Sequence, residues 1–184
     1  MAYRIKEFKN GIFALRTRRF GTLAEIMVKK LYGFTFSKCK EYDLKDNDSR
    51  IEVKFSTVRK NNGKPIKEEN IISECINAKA NQRMLQSDEI ETNIFDCNIQ
   101  QVKCDNFDVL YYGLFFADKI EIFRILSKYI KEDKCIKYSD KQHSKSVGEG
   151  QFHINNDTYG HHKHWHFLKA MSYNELYKLF KRDR

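Results

Sequence analysis

Three charged residues around a short polar turn have the types and spacing needed for metal-assisted chemistry. They are Asp43, Glu52 and Lys54, in the stretch EYDLKDNDSRIEVKFST that runs from Glu41 to Thr57. Carboxylate oxygens are the ligands that Mg²⁺ prefers, and a lysine ammonium beside such an ion can hold or polarise a water molecule. The three residues therefore point to hydrolysis assisted by a divalent cation.

Alternation of apolar and charged side chains predicts that this stretch is a β-hairpin. With the turn centred on Asn47 and Asp48, Asp43 faces Glu52, and Lys54 lies about 7 Å further along the same face. The same register places four apolar side chains on the core face, namely Tyr42, Leu44, Ile51 and Val53. Two facing carboxylates repel one another, and a bound cation would reverse the sign of that interaction. A polar face that is simply solvated is the alternative interpretation.

A helix before the hairpin supplies a further carboxylate. The segment GTLAEIMVKKLYG predicts a helix that opens with a capping box formed by Thr22 and Glu25 and ends at Gly33. Two roles for Glu25 stay open on this evidence. It is either the capping-box acid or a carboxylate that points at the charged face of the hairpin.

Composition indicates one domain, spanning residues 1–184, with a basic surface. The hydrophobic content of 41% is enough for a real core, and 34 Lys and Arg against 25 Asp and Glu give a net charge of +9. This balance favours a nucleic-acid partner over an acidic small molecule. Five cysteines without a C-x-x-C pair indicate reduced thiols in a cytoplasmic protein, and we expect no membrane span or signal peptide.

Local patterns predict an α/β fold of the mixed α+β kind, with a central mixed sheet flanked by helices. After the hairpin, the patterns predict a helix over 70–85, a short strand over 98–103, a buried strand over 109–116, a strand over 119–123, a helix over 125–131 and a closing helix through residue 180. We divide the chain into a catalytic core, residues 1–136, and a DNA-recognition segment with a C-terminal helix, residues 137–184.

The segment from Lys137 to Phe167 contains all six histidines and admits two interpretations. As a zinc site, His162, His164 and His166 would share one face of a strand, with Cys135 or His153 as the available fourth ligand. As a DNA-recognition segment, its polar side chains would contact base edges and phosphates, and we favour this interpretation. The candidate DNA-binding residues are Lys141, Gln142, His143, Lys145, Gln151 and His153.

The helix with an early glutamate, the aspartate in YDL and the strand IEVK together resemble the PD-(D/E)xK nuclease superfamily. Within that superfamily, the single-domain size and the run NIQQVKCDNFDVLYYGLFFADKIEIFRI resemble type II restriction endonucleases. The resemblance covers about the first two-thirds of the chain. Tyr42 stands where the motif nominally has proline.

The resemblance implies a restriction-endonuclease-like core in which Asp43 and Glu52 bind Mg²⁺, with the carbonyl of Phe55 as an extra ligand. It implies that Lys54 positions or activates the attacking water and that Glu25 is the helix glutamate of the site. The implied reaction is site-specific hydrolysis of double-stranded DNA that leaves 5′-phosphate ends, by a homodimer without a nucleotide cofactor. A repair or junction-resolving nuclease that reads DNA shape and a non-catalytic basic DNA-binding module stay open.

Overall fold

The chain folds into two β-sheets with helices packed around them, in a computed structural model that describes residues 2–61, 65–77, 84–142 and 146–181. Within those ranges the helices are α1 (Ala2–Ala14), α2 (Thr17–Tyr32), α3 (Ile71–Asn77), α4 (Ser127–Ile130), α5 (Tyr159–Trp165) and α6 (Tyr173–Lys181). The strands are β1 (Thr35–Phe36), β2 (Leu44–Asp46), β3 (Ser49–Thr57), β4 (Asp96–Gln100), β5 (Val109–Phe115), β6 (Lys119–Leu126), β7 (Ser139–Gln142), β8 (Ser146–Asn155) and β9 (Phe167–Ser172). Across the described ranges, each helix is too short or too polar to cross a membrane.

The larger sheet has six strands in the order β1-β2-β3-β5-β6-β9. Strands β3 and β5 are parallel, and the remaining neighbours are antiparallel, so the sheet is mixed. The smaller sheet is antiparallel, with the order β4-β8-β7. This arrangement confirms the predicted mixed α+β fold with a central sheet and flanking helices.

Strand β5 is buried on both faces and divides the core into two clusters. On one face, the odd-numbered side chains of β5 pack with α2, α6 and the hairpin, in what we call the helix-side cluster. It includes Met27, Val28, Leu44, Ile51, Val53, Tyr111, Phe115 and Leu176. On the other face, the even-numbered side chains of β5 pack against the smaller sheet, in what we call the sheet-side cluster. It includes Leu110, Tyr112, Leu114, Phe123, Phe152 and Ile154. A run of apolar residues without alternation is typical of such a doubly covered strand.

Several element boundaries differ from the sequence predictions. Strand β6 continues to Leu126, so the helix predicted over 125–131 forms only as the single turn α4, Ser127–Ile130. The strand predicted over 98–103 lies at Asp96–Gln100. Of the helix predicted over 70–85, α3 covers only 71–77, and 78–83 lie outside the described residues. Local periodicity predicts that these elements exist, but tertiary packing decides the residues at which they begin and end.

The N-terminal helix α1 was not among the predicted elements. It packs on α6 through Phe8, whose ring centroid lies 5.3 Å from that of Tyr177 and 6.2 Å from that of Phe180. Helix α6 begins with a capping box, because the Ser172 amide donates to the Glu175 carboxylate and the Glu175 amide donates to Ser172 Oγ. Helices α1 and α6 therefore meet on the helix side of the larger sheet.

Candidate active site

The hairpin that carries the charged residues forms in the predicted register. Leu44 pairs with Ile51 and Lys45 with Arg50, across a turn in which Asn47 adopts a left-handed φ of 49°. Leu44, Ile51 and Val53 lie in the helix-side cluster as predicted. Tyr42 does not, because the ladder ends at Leu44 and the side chain of Tyr42 packs against the sheet-side cluster instead.

Asp43 lies just before β2 and is held by the edge of β3. Its amide donates to the Ile51 carbonyl over 3.1 Å, and its Oδ2 accepts a 2.9 Å hydrogen bond from the Val53 amide. The direct pairing of Asp43 with Glu52 across the ladder was therefore predicted wrongly. The carboxylate of Asp43 nevertheless reaches the same place, because its Oδ2 lies 3.7 Å from Lys54 Nζ.

Glu52 and Lys54 point to the face of the larger sheet that carries the smaller one. They pair with Leu110 and Tyr112 of β5, both members of the sheet-side cluster. Glu52 is only 8% exposed, and its Oε1 forms an ion pair with Lys54 Nζ. Its other oxygen, Oε2, is buried and has no hydrogen-bond partner among the residues described.

The electrostatics of the site show an excess of negative charge. Burial raises the pKa of Glu52 to about 7, the Asp43 carboxylate also raises it, and Lys54 lowers it only in part. Burial lowers the pKa of Lys54, but attraction to Glu52 and Asp43 outweighs burial and leaves that pKa above its usual value. Lys54 is therefore a charged donor, and the carboxylates around it are not fully compensated.

Glu25 on α2 interacts with this site through charge, and of the two roles left open for it the capping role is wrong. Helix α2 starts at Thr17 after Arg16, so Thr22 lies inside the helix and its hydroxyl donates to the Arg18 carbonyl over 3.2 Å. Burial and the Asp43 charge raise the pKa of Glu25, while the Lys54 charge lowers it. These interactions place Glu25 in the same electrostatic environment as the hairpin carboxylates.

We expect Glu25→Gln to lower the rate of the DNA cleavage that the nuclease resemblance implies by roughly tenfold or more, a barrier change of about 1.4 kcal/mol, without lowering the melting temperature. The substitution removes a charge from the acidic site and leaves the helix start untouched. The measurement is the single-turnover cleavage rate beside a thermal melt. Glu7→Gln, at an exposed position on α1, is the matched control. Equal rates for the two variants would place Glu25 outside the site.

The raised pKa of Glu52 predicts a pH dependence for the metal-free protein. Between pH 4.5 and about 7 the unfolded chain loses this proton while the folded chain keeps it, so stability falls as pH rises. The loss amounts to at most about 3 kcal/mol, and it is complete above the folded pKa. Urea unfolding in a chelator from pH 4.5 to 7.5 measures it, with Glu52→Gln as reference. Parallel profiles for the two proteins would contradict the prediction.

Phe55, the source of the implied carbonyl ligand, follows Lys54 on β3. Its ring packs in the helix-side core, with a centroid 5.8 Å from that of Phe115. It lies opposite Gly113 of β5, where an added Cβ would collide with the ring of Phe55 and with the Glu121 carbonyl. The ring is therefore structural, and the metal-ligand role of the carbonyl stays a prediction.

The candidate DNA-binding residues that the structure describes belong to the smaller sheet. Lys141 is exposed on β7, which also contains Gln142, while Gln151 and His153 lie on β8. The amide of Gln151 is engaged within the protein, because it accepts from Asn98 over 2.8 Å and donates to the Lys141 carbonyl over 3.1 Å. His153 Nδ1 lies 2.8 Å from Asp96 Oδ1. His143 and Lys145 lie outside the described residues.

Of the alternating histidines, His162 and His164 lie on α5 and His166 caps its C-terminal end, so the predicted strand is wrong. Burial lowers the pKa of His162 to about 3, and its Nδ1 lies 2.8 Å from the Tyr112 hydroxyl in the core, while His164 is exposed. The zinc set His162, His164 and His166 is therefore not formed. The fold instead joins His161 and His166 to Asp133. Sequence spacing could not show that set, because Asp133 comes from a different element.

The structure thus brings Asp43, Glu52 and Lys54 together at the start of β2 and the open edge of β3, and Glu25 on α2 interacts with Asp43 and Lys54 through charge. The predicted catalytic residues are brought together, with Asp43 held by a side-chain hydrogen bond instead of a ladder pair. Comparisons with protein-family models, curated proteins and solved structures found no match to the chain.

Proposed function

We propose that this chain is a Mg²⁺-dependent endonuclease that hydrolyses double-stranded DNA at a specific short sequence, as type II restriction endonucleases do. One observation carries the proposal. Glu52 Oε2 is buried without a hydrogen-bond partner among the described residues, beside Asp43 and the charged Lys54. Leaving a buried carboxylate oxygen unpaired costs free energy, and a cation held by Asp43 and Glu52 would supply the missing partner.

The donor set fits magnesium. Asp43 and Glu52 offer only carboxylate oxygens, and Mg²⁺ is commonly held by one or two carboxylates while it keeps several waters. The mutual repulsion that helps to raise the pKa values of Glu25 and Glu52 would be relieved by a divalent cation, which would hold these carboxyl groups in their ionised form. When bound, such an ion neutralises charge on a phosphate and lowers the pKa of a coordinated water.

The chain's own residues then have separate tasks. The Val53 amide fixes the Asp43 carboxylate at the end of the hairpin, so the ligand is in place before DNA arrives. Lys54 holds Glu52 through its ion pair and, as a charged donor, orients the attacking water or a phosphate oxygen. Glu25 adds a carboxylate that deepens the negative potential seen by the cation.

Basic side chains provide a surface for the DNA backbone. Five of them are exposed on α1, on the connection to α2 and on its first turn, namely Arg4, Lys6, Arg16, Arg18 and Arg19. Together with the net charge of +9, they support phosphate binding that weakens as salt is added. A palindromic target would be bound by a homodimer.

The five cysteines are unpaired, which supports a reducing compartment such as the cytoplasm.

Digestion of unmethylated phage DNA by the untagged protein tests the proposal. We expect discrete bands with Mg²⁺, intact DNA with a chelator, intact DNA with Glu52→Gln, and 5′-phosphate at the cut ends. A smear would replace the site-specific assignment with a non-specific nuclease, and selective cutting of a branched junction would favour the repair class. Intact DNA in a protein that still binds it would overturn the enzymatic proposal in favour of a binding module.

A further inference from the structure

Three side chains from two separated segments converge away from the catalytic residues. Asp133 follows α4, while His161 and His166 lie on α5 and at its C-terminal end. Asp133 Oδ2 lies 2.7 Å from His161 Nε2 and 3.5 Å from His166 Nε2. The three ligand atoms all lie within 4.8 Å of one another, and no other set of three or more such side chains does so in the part of the chain that the structure describes.

The cluster is partly buried and one of its nitrogens lacks a hydrogen bond. The side chains of Asp133, His161 and His166 are 21%, 20% and 13% exposed. His166 Nε2 is buried and makes no hydrogen bond to the described residues, although it faces the Asp133 carboxylate. The ion pair between Asp133 and His161 does not provide a hydrogen-bond partner for His166 Nε2. Buried ring nitrogens normally have such a partner.

The carboxylate is also oriented by its surroundings. Asp133 Oδ1 accepts a 2.9 Å hydrogen bond from the Cys135 amide, which turns Oδ2 towards the two imidazoles. Outer hydrogen bonds of this kind fix the ligands of metal sites in proteins. The backbone of His166 is held as well, because its carbonyl accepts from the Arg124 amide over 2.8 Å.

We infer that Asp133, His161 and His166 form a binding site for a divalent transition-metal ion of the zinc class, distinct from the Asp43–Glu52 site. Two imidazole nitrogens and one carboxylate oxygen are a ligand set that zinc accepts, with water in the fourth position. Tetrahedral bonds of about 2.0–2.1 Å place ligand atoms about 3.3 Å apart. The 3.5 Å distance from Asp133 Oδ2 to His166 Nε2 is close to this value. The 2.7 Å distance from Asp133 Oδ2 to His161 Nε2 has to widen by roughly half an ångström.

The ligand chemistry separates this site from the proposed magnesium site. Imidazole favours zinc and related ions, whereas magnesium selects carboxylate and water oxygens. Bound zinc would tie the segment between α4 and β7 to α5, and so brace the chain where it enters the smaller sheet. The inference concerns residues that the proposed nuclease chemistry does not use, so it stands or falls separately from that proposal.

Metal titration of the untagged, chelator-treated full chain tests the inference. We expect one Zn²⁺ per chain by calorimetry and elemental analysis, a higher melting temperature with Zn²⁺, and visible absorption from Co²⁺ substituted at the site. His161→Gln and Asp133→Asn should each weaken Zn²⁺ binding by more than the roughly 10–100-fold that loss of an outer hydrogen-bond partner costs. Glu52→Gln should bind Zn²⁺ as the wild type does.

His164→Gln is the matched control, because His164 lies on the same helix and is exposed outside the cluster. Asp133→Asn preserves the size of the side chain, so it provides a second test if His161→Gln fails to fold. Circular dichroism without metal shows whether each variant is folded. The inference is overturned if the wild type binds no Zn²⁺. It is equally overturned if His164→Gln, or Glu52→Gln, loses as much affinity as the cluster variants.

Discussion

Glu52→Gln is expected to abolish DNA cleavage, with a rate loss of roughly 10³-fold or more, while DNA binding stays within a few-fold of wild type. Glutamine keeps the size of the side chain but removes the charge that an approaching cation would meet at the buried Oε2. The basic surface on α1 and α2 is untouched, so affinity for DNA should persist. Single-turnover cleavage and a binding titration in Ca²⁺ measure the two quantities separately.

Asp43→Asn should have the same effect, since asparagine can still accept the Val53 hydrogen bond but carries no charge. Asp46→Asn is the matched control, because Asp46 is exposed at the turn end of the same hairpin. Removing charge from the crowded site should also leave the metal-free variants at least as stable as wild type above pH 7. Cleavage near the wild-type rate by either Glu52→Gln or Asp43→Asn would remove the catalytic assignment.

Lys54→Ala is expected to lower the cleavage rate by about 10²–10⁴-fold, the range typical of a lost proton-transfer or water-positioning group. The variant also strips Glu52 Oε1 of its ion-pair partner and leaves that carboxylate buried without compensation. The pKa of Glu52 should therefore rise further in the metal-free variant. The rate is measured over a Mg²⁺ series at several pH values, so that weaker metal binding and slower chemistry can be told apart.

Lys54→Met retains most of the volume of the lysine and controls for the cavity that alanine leaves. Lys45→Ala, at an exposed position on β2 of the same hairpin, controls for loss of one positive charge. We expect Lys54→Met to be as slow as Lys54→Ala and Lys45→Ala to be near wild type. Full activity of Lys54→Met at saturating Mg²⁺ would show that the lysine has no part in the chemistry.

The hairpin and the doubly buried strand could be predicted from the sequence because their determinants are local. Period-two alternation and a turn-forming sequence decide the Leu44–Ile51 register, and an unbroken apolar run marks β5. That register also places Glu52 and Lys54 on one face of β3. Alternation could not predict where the pairing of β2 with β3 ends. Asp43 lies beyond that end, and its side chain accepts a hydrogen bond from the Val53 amide.

The role of Glu25 was decided by tertiary structure. Thr22 and Glu25 have the spacing of a capping box, and the sequence left open whether Glu25 is the capping-box acid or a carboxylate that points at the hairpin. Helix α2 starts five residues earlier, at Thr17, because Phe20 belongs to the helix-side core and packs on Phe115 at 5.0 Å. Burial of one apolar side chain outweighs a capping preference of about 1 kcal/mol.

The sequence by itself determined the mixed fold, the charge of the surface and the hairpin that carries the candidate catalytic residues. Only the tertiary structure decided what the histidines do. On a strand, His162, His164 and His166 would share a face, but on α5 the ring of His162 enters the core against Tyr112 while His161 and His166 turn to Asp133. Asp133 and His161 are 28 residues apart, and such long-range pairs depend on how sheets and helices pack rather than on local periodicity.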